Sequence, residues 1–232
     1  LYPKSPEAYI NLGAILIDIE KHDEAESLLL KAIELDPSSG VALNNLGNIY
    51  KKQGKIEKGE TTLRQALEVN PLCDSAYLNL GTLLIETGRV EEAEALIRKA
   101  IKIKPNSAMA YNNLGNTLRT KGKLEEAEIF FKKAILINPR FSLALSNLGN
   151  TLNDQGKQKE AFNCFIKSIE FSEKNTQECQ LITQFLQNSN TSILNKQKLK
   201  SILIRLLNRN DIRHRHLFNA FNSIYSKDFL FF

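Results

Sequence analysis

Apolar and polar positions recur in blocks of 34 residues. Leu-Gly pairs fall at Leu12-Gly13, Leu46-Gly47, Leu80-Gly81, Leu114-Gly115 and Leu148-Gly149 with no insertion between them. The same step aligns Ala25, Gly59, Ala93, Ala127 and Ala161, then Ala32, Ala66, Ala100, Ala134 and Ser168, then Pro37, Pro71, Pro105 and Pro139. Each period predicts two antiparallel helices. In the first, Ser5 is the expected N-cap with Pro6 at the first helical position, and Ala8, Tyr9, Leu12, Ile15 and Leu16 form an apolar stripe at helical spacing. Gly54, Gly88, Gly122 and Gly156 stand where the first helix ends, in a left-handed conformation that costs glycine little. Second helices open acidic, as in Glu91-Glu92-Ala93-Glu94 and Glu125-Glu126-Ala127-Glu128. They close basic, as in Arg98-Lys99 and Lys132-Lys133, which complements the helix dipole and predicts a solvated face. The glycines of the Leu-Gly pairs are expected to meet the alanine column, because paired helices approach closely only where both side chains are small. Gly59 interrupts that column, and glycine in a helix interior predicts a local cost of roughly 1 kcal/mol relative to alanine.

An apolar residue, Leu-Gly, then Ala, then a large apolar residue, then Pro at this period resembles the tetratricopeptide repeat, TPR. Five units are visible, 6–39, 40–73, 74–107, 108–141 and 142–175. The resemblance implies an all-α fold, a right-handed superhelical TPR solenoid of paired antiparallel helices, with a C-terminal helical cap over 176–232. Ser168 in place of Ala, and Glu173 where Pro was due, predict the end of the array. Beyond it, Thr176–Gln187 carries Cys179, Ile182, Phe185 and Leu186 at helical spacing, and Asn188–Ser192 reads as a polar linker. Lys196–Asn208 is amphipathic through Leu199, Ile202, Leu203 and Leu206. A last helix is expected from about Ile212 to Ser226, capped by Asp211, with Leu217, Phe218, Phe221, Ile224 and Tyr225 as its apolar residues. Leu1-Tyr2-Pro3 matches the end of a unit, so a further repeat is expected upstream. The apolar Phe229-Leu230-Phe231-Phe232 predicts continuation into another domain.

Charge alters this picture only in the tail. The formal net charge of +5 divides into 23 Lys/Arg against 24 Asp/Glu over 1–194 and 8 against 2 over 195–232. Contact of 195–216 with nucleic acid or an acidic membrane is therefore a secondary expectation, with Phe218 and Phe221 as stacking groups or, on the plainer reading, core. No apolar run is long enough to cross a bilayer and no signal-peptide layout is present, so a cytoplasmic location is expected. Cys73, Cys164 and Cys179 lack metal-ligand or C-x-x-C spacing and read as reduced, partly buried thiols. His214 and His216, two apart, do not share a helix face. With no phosphate loop, triad signature or ligand cluster, neither an enzyme activity nor a cofactor or metal site is expected.

Asparagine supplies the candidate chemistry. Asn11, Asn45, Asn79, Asn113 and Asn147 each precede a Leu-Gly pair, although asparagine disfavours helix interiors. A carboxamide both donates and accepts, and so can bond the backbone of an extended peptide without reading its side chains. In TPR arrays the first helices line the concave side, which places this column in the groove. Asn48, Thr82, Asn116 and Asn150 follow one turn on. The column resembles the repeat array of O-linked N-acetylglucosamine transferases, where such a ladder holds the substrate polypeptide. Two functions follow: a protein-interaction module binding an extended polypeptide, or the substrate-recruiting arm of a larger glycosyltransferase. The plain alternative is that the amides bond to neighbouring helices or face water. A clamp for a terminal carboxylate is disfavoured, since Glu7, Asp18, Lys52, Glu86, Arg119 and Asp154 alternate in sign along the equivalent strip.

Overall fold

Helix boundaries follow the sequence period. The computed structural model describes residues 5–172, 176–209 and 211–225, and all regular structure among them is helical. The expectations for Leu1-Tyr2-Pro3, Glu173, Ser226, Phe229–Phe232 and the Tyr225 side chain lie outside the described residues. First helices run α1 Pro6–Asp18, α3 Gly40–Lys52, α5 Asp74–Glu86, α7 Ala108–Thr120 and α9 Ser142–Asp154. Second helices run α2 His22–Leu35, α4 Ile56–Val69, α6 Val90–Ile103, α8 Leu124–Ile137 and α10 Gln158–Phe171. The tail adds α11 Thr176–Asn188, α12 Lys196–Leu207 and α13 Phe218–Tyr225. The chain divides into two compact units, Leu1–Thr117 and Leu118–Phe232.

Each turn between paired helices satisfies the carbonyls that the first helix leaves open. Gly54 N–H donates to Lys51 O at 3.0 Å and Lys55 N–H to Tyr50 O at 2.8 Å, with Gly54 at φ +73°. This is the Schellman arrangement, and Gly88, Gly122 and Gly156 share its positive φ. In the first repeat the same place is held by Glu20 at φ +62°, where a side chain is disfavoured. Ser39 and Ser107 cap α3 and α7 through hydroxyls that accept from the N–H of Ala42 and Ala110. Ser5 makes no such cap; its hydroxyl donates to the Glu7 carboxylate instead, which holds that carboxyl below its ordinary pKa.

The Leu-Gly glycines do meet the small-residue column, a Cβ on Gly81 lying 3.5 Å from Ala93 O and one on Gly47 3.3 Å from Gly59 O, but a large residue lies closer still. The alanines of both columns are fully buried, and a Cβ on the Leu-Gly glycine would strike the large residue one turn beyond Ala25 and its equivalents. The distance would be 2.8 Å from Gly81 to Ile97 Cγ1, 2.6 Å from Gly47 to Leu63 Cγ and 2.8 Å from Gly149 to Phe165 Cε1. Gly59 sits in the same crowded zone. A Cβ there would lie 3.1 Å from Leu83 Cδ1 of α5 and 3.3 Å from both Gly47 O and Lys51 N of α3, so the bare backbone lets α4 pack closely against both helices.

The acidic starts of the second helices are also not simply solvated. Glu26 pairs with Lys55 at 3.0 Å, Glu60 with Arg89 at 2.7 Å and Glu128 with Lys157 at 2.8 Å. Each links a second helix to the turn of the next repeat. Hydrogen bonds from Lys132 and Lys157 pull the Glu128 carboxyl down to about 2.

In the tail, α11 covers the last repeat through Phe185, whose ring centroid lies 5.2 Å from that of Phe165 and 6.2 Å from that of Phe162. Leu199, Ile202, Leu203 and Leu206 are buried on α12 as expected. The stretch read as a linker instead holds a 3-10 turn, Thr191–Ile193, because the Asn190 side chain accepts from Ser192 N–H and Thr191 is buried against Asn219 O. The last helix starts later than expected. Asp211 pairs with Arg209 at 2.6 Å rather than capping, and a 3-10 turn, His214–Leu217, precedes α13. Phe218 is exposed, not core, while Leu217 is buried. Cys73 and Cys164 are half-buried and Cys179 is buried. All three are free, and burial pushes the Cys164 thiol up to about 11, which suits an inert role.

Two substitutions test this account. Gly81→Leu forces a side chain into Ile97 and lowers stability by about 1–3 kcal/mol in urea unfolding; an unchanged midpoint would contradict the contact. Glu20→Gly relieves the left-handed residue and raises stability by about 1 kcal/mol.

Candidate functional site

The asparagines expected to line a binding face lie on the first helices in graded environments. In the unit ending at Thr117, Asn11 is exposed, while Asn45, Asn48, Asn79, Thr82, Asn113 and Asn116 are half-buried. In the second unit Asn147 and Asn150 are also half-buried. Half-burial leaves a carboxamide reachable while shielding its bonds from water, so a hydrogen bond made there gains strength from the lower local dielectric.

Part of the column is engaged within the protein. Asn79 Nδ2 donates to Asn44 Oδ1 at 2.9 Å, and Asn44 Nδ2 donates to Asn45 Oδ1 at 3.2 Å, so three amides form a relay joining α5 to α3. Asn112 Nδ2 repeats the second step towards Asn113 Oδ1 at 3.4 Å. Asn44 and Asn112 are themselves buried, at 7% and 3% exposure. Sequence reasoning fixed on the periodic asparagine and passed over its neighbour. The available signal was the Asn-Asn doublet at 44–45 and 112–113, where the other repeats have Ile10, Leu78 and Ser146. The side chains of Asn48 and Asn150 form no hydrogen bond among the described residues.

Lys51 is the second missed residue. Its Nζ reaches Thr82 Oγ1 at 3.0 Å, and the Thr82 hydroxyl in turn donates to Asn79 O at 2.9 Å. Burial pushes the Lys51 ammonium below its ordinary pKa, with Glu86 opposing that shift. Around Asn45, Asn79 and Thr82 the face thus offers amide donors and acceptors beside one partly desolvated cation. In the second unit, Asn150 and Asn153 line a cavity of about 330 Å³ with Gln184 and Phe185. At its edge Arg119 pairs with Asp154 at 3.0 Å, so the cation of the equivalent strip is neutralised.

Among the described residues no group of three His, Cys, Asp or Glu side chains is placed to hold a metal, and His214 Nε2 lies 3.0 Å from Arg209 O. No described helix is long and apolar enough to cross a membrane. The relay carries its own prediction. Asn79→Ala strands the buried Asn44 oxygen and costs about 1–3 kcal/mol in urea unfolding. Asn48→Ala, with no such bond, leaves the midpoint in place.

Comparison with known proteins agrees with this geometry. Profiles described as tetratricopeptide repeat match residues 6–39, 44–108, 108–141 and 130–162. Comparison with curated proteins gives no match. Among solved structures, pilF of Pseudomonas aeruginosa is similar with a TM-score of 0.71 at 20% identity, covering 91% of this chain and 96% of that one. MamA is similar with a TM-score of 0.57 at 25% identity, covering 71% and 96%. YrrB, described as a TPR protein with an unusual peptide-binding site, has a TM-score of 0.53 at 23% identity, covering 75% and 90%. Helix pairs, left-handed turn glycines and matching profiles agree: residues 6–39 and 44–162 of this chain are tetratricopeptide repeats.

Proposed function

We propose that the chain is a protein-interaction module that holds an extended polypeptide against its first helices through the asparagine column. The observation that carries this reading is the set of half-buried amides on one side of successive first helices. Some are fixed in place by the relay through Asn44, and Asn48 and Asn150 are left with unfilled bonding capacity. A carboxamide held in position loses little conformational freedom when it bonds a peptide backbone, which favours weak, sequence-tolerant capture. Lys51 adds a preference for an acceptor or a carboxylate near Thr82. The peptide-binding site described for YrrB supports the same use of the fold. The arm of a glycosyltransferase, to which the asparagine column's resemblance also points, would capture its substrate in the same way.

The test is selection of binders from a random peptide library against the native chain, followed by titration of the selected peptides. Each lost bond at roughly 0.5–1.5 kcal/mol predicts that Asn48→Ala or Asn150→Ala weakens binding about two- to tenfold, at an unchanged melting temperature. Peptides that bind both variants as tightly as the native chain would refute the asparagine mechanism.

A further inference from the structure

The helix that follows the last repeat keeps the period of the array. α11, Thr176–Asn188, begins and ends 34 residues after α9, Ser142–Asp154. Its buried Ile182 stands where the buried Leu148 stands on α9, and Thr183 takes the place of Gly149, which removes the Leu-Gly pair that marks the other first helices. Gln184 then stands where α9 has Asn150. Glutamine carries the same carboxamide one methylene further out, so the donor and acceptor of the column continue onto α11.

Gln184 lines two cavities. One, of about 330 Å³, it shares with Asn150 and Asn153; the other, of about 380 Å³, it shares with Gln187, Arg213 and His216. The side chains of Asn150, Asn153, Gln184 and Gln187 form no hydrogen bond among the described residues, so each keeps a donor and an acceptor for a ligand. The cavities differ in charge. At the first, Arg119 is paired with Asp154 at 3.0 Å, which leaves no net charge from the pair. At the second, Asp211 is met by Arg209 at 2.6 Å, whereas the Arg213 side chain has no acidic partner among the described residues. Its guanidinium is the unbalanced charge there, and its fork of N–H groups matches a carboxylate.

We infer that Gln184 is a further peptide-binding residue, and that the cavity shared with Arg213 takes an acidic side chain of the bound polypeptide. The inference rests on the capture of an extended polypeptide proposed above and names what that polypeptide carries at the α11 end of the face. Gln184 bonds the peptide backbone as Asn150 does. The residue entering the neutral cavity is uncharged, and the one that reaches Arg213 is Asp or Glu.

The probes are two pools of random peptides, alike except for one fixed central residue, Glu in one pool and its isostere Gln in the other. Both are selected against the native full chain, and enriched peptides are titrated by fluorescence anisotropy. Glu peptides are expected to weaken about tenfold when their Glu is changed to Gln, and the same change should have no effect against an Arg213→Gln chain. Gln184→Leu should weaken the Glu and Gln forms alike, about two- to tenfold, because it removes a bond to the backbone. Gln184 and Arg213 are both exposed, so melting temperatures should match the native chain. Indifference to either variant, in peptides that Asn150→Ala does weaken, overturns this inference and leaves the asparagine mechanism standing. Peptides sensitive to both variants but indifferent to Asn48→Ala and Asn150→Ala support the α11 site and refute the column. Enrichment of no peptide overturns both.

Discussion

The structure depends on a missing carbon atom. At Gly13, Gly47, Gly81 and Gly149 the space that a Cβ would fill is taken by the large apolar residue of the paired helix, Leu29, Leu63, Ile97 or Phe165. Dispersion and burial reward that interlock only at close range, so the glycine sets the separation of each helix pair, and the alanine columns keep the rest of the contact equally thin. Within the first unit this close pairing lets α5 lie alongside α3. That is why asparagines 34 residues apart end as neighbours able to share Asn44.

Polar groups then set what the apolar core leaves open. The Asn79–Asn44–Asn45 relay sits at the boundary between core and face, where a buried amide must find a partner. It serves both worlds, bracing α3 against α5 and holding the outer amides still. The ion pairs from Glu26, Glu60 and Glu128 to the following turns add little energy individually at the surface. They do constrain register, since each reaches a base that opens the next second helix.

Most of the fold was legible in the sequence because its determinants are local and repeated. The turn glycines need a positive φ wherever they occur, and the apolar stripe tells a helix which side to bury. What was not legible required knowledge of neighbours. The crowding around Gly59 shows only once α3 and α4 are placed, and the pairing of Glu128 with Lys157 crosses from one repeat to the next. The tail lacks a repeat to average over, so its boundaries followed single residues such as Asp211, whose carboxylate went to Arg209 instead of a helix end. For the candidate face, the periodic asparagines were visible. The bond that ties Asn79 inward was not, because a single sequence shows composition at a position and not the direction of a side chain.

The turn pairs have a consequence for how such a chain can change. Glu26 and Lys55, Glu60 and Arg89, and Glu128 and Lys157 are each separated by the same number of residues, and the stretch between them spans a helix end, a connector and a whole first helix. The carboxylates therefore act as a ruler. An added residue in an intervening connector has to be taken up by the loop if the base is still to reach its acid. Three pairs with the same spacing thus favour one connector length, each by the small amount that a surface ion pair contributes.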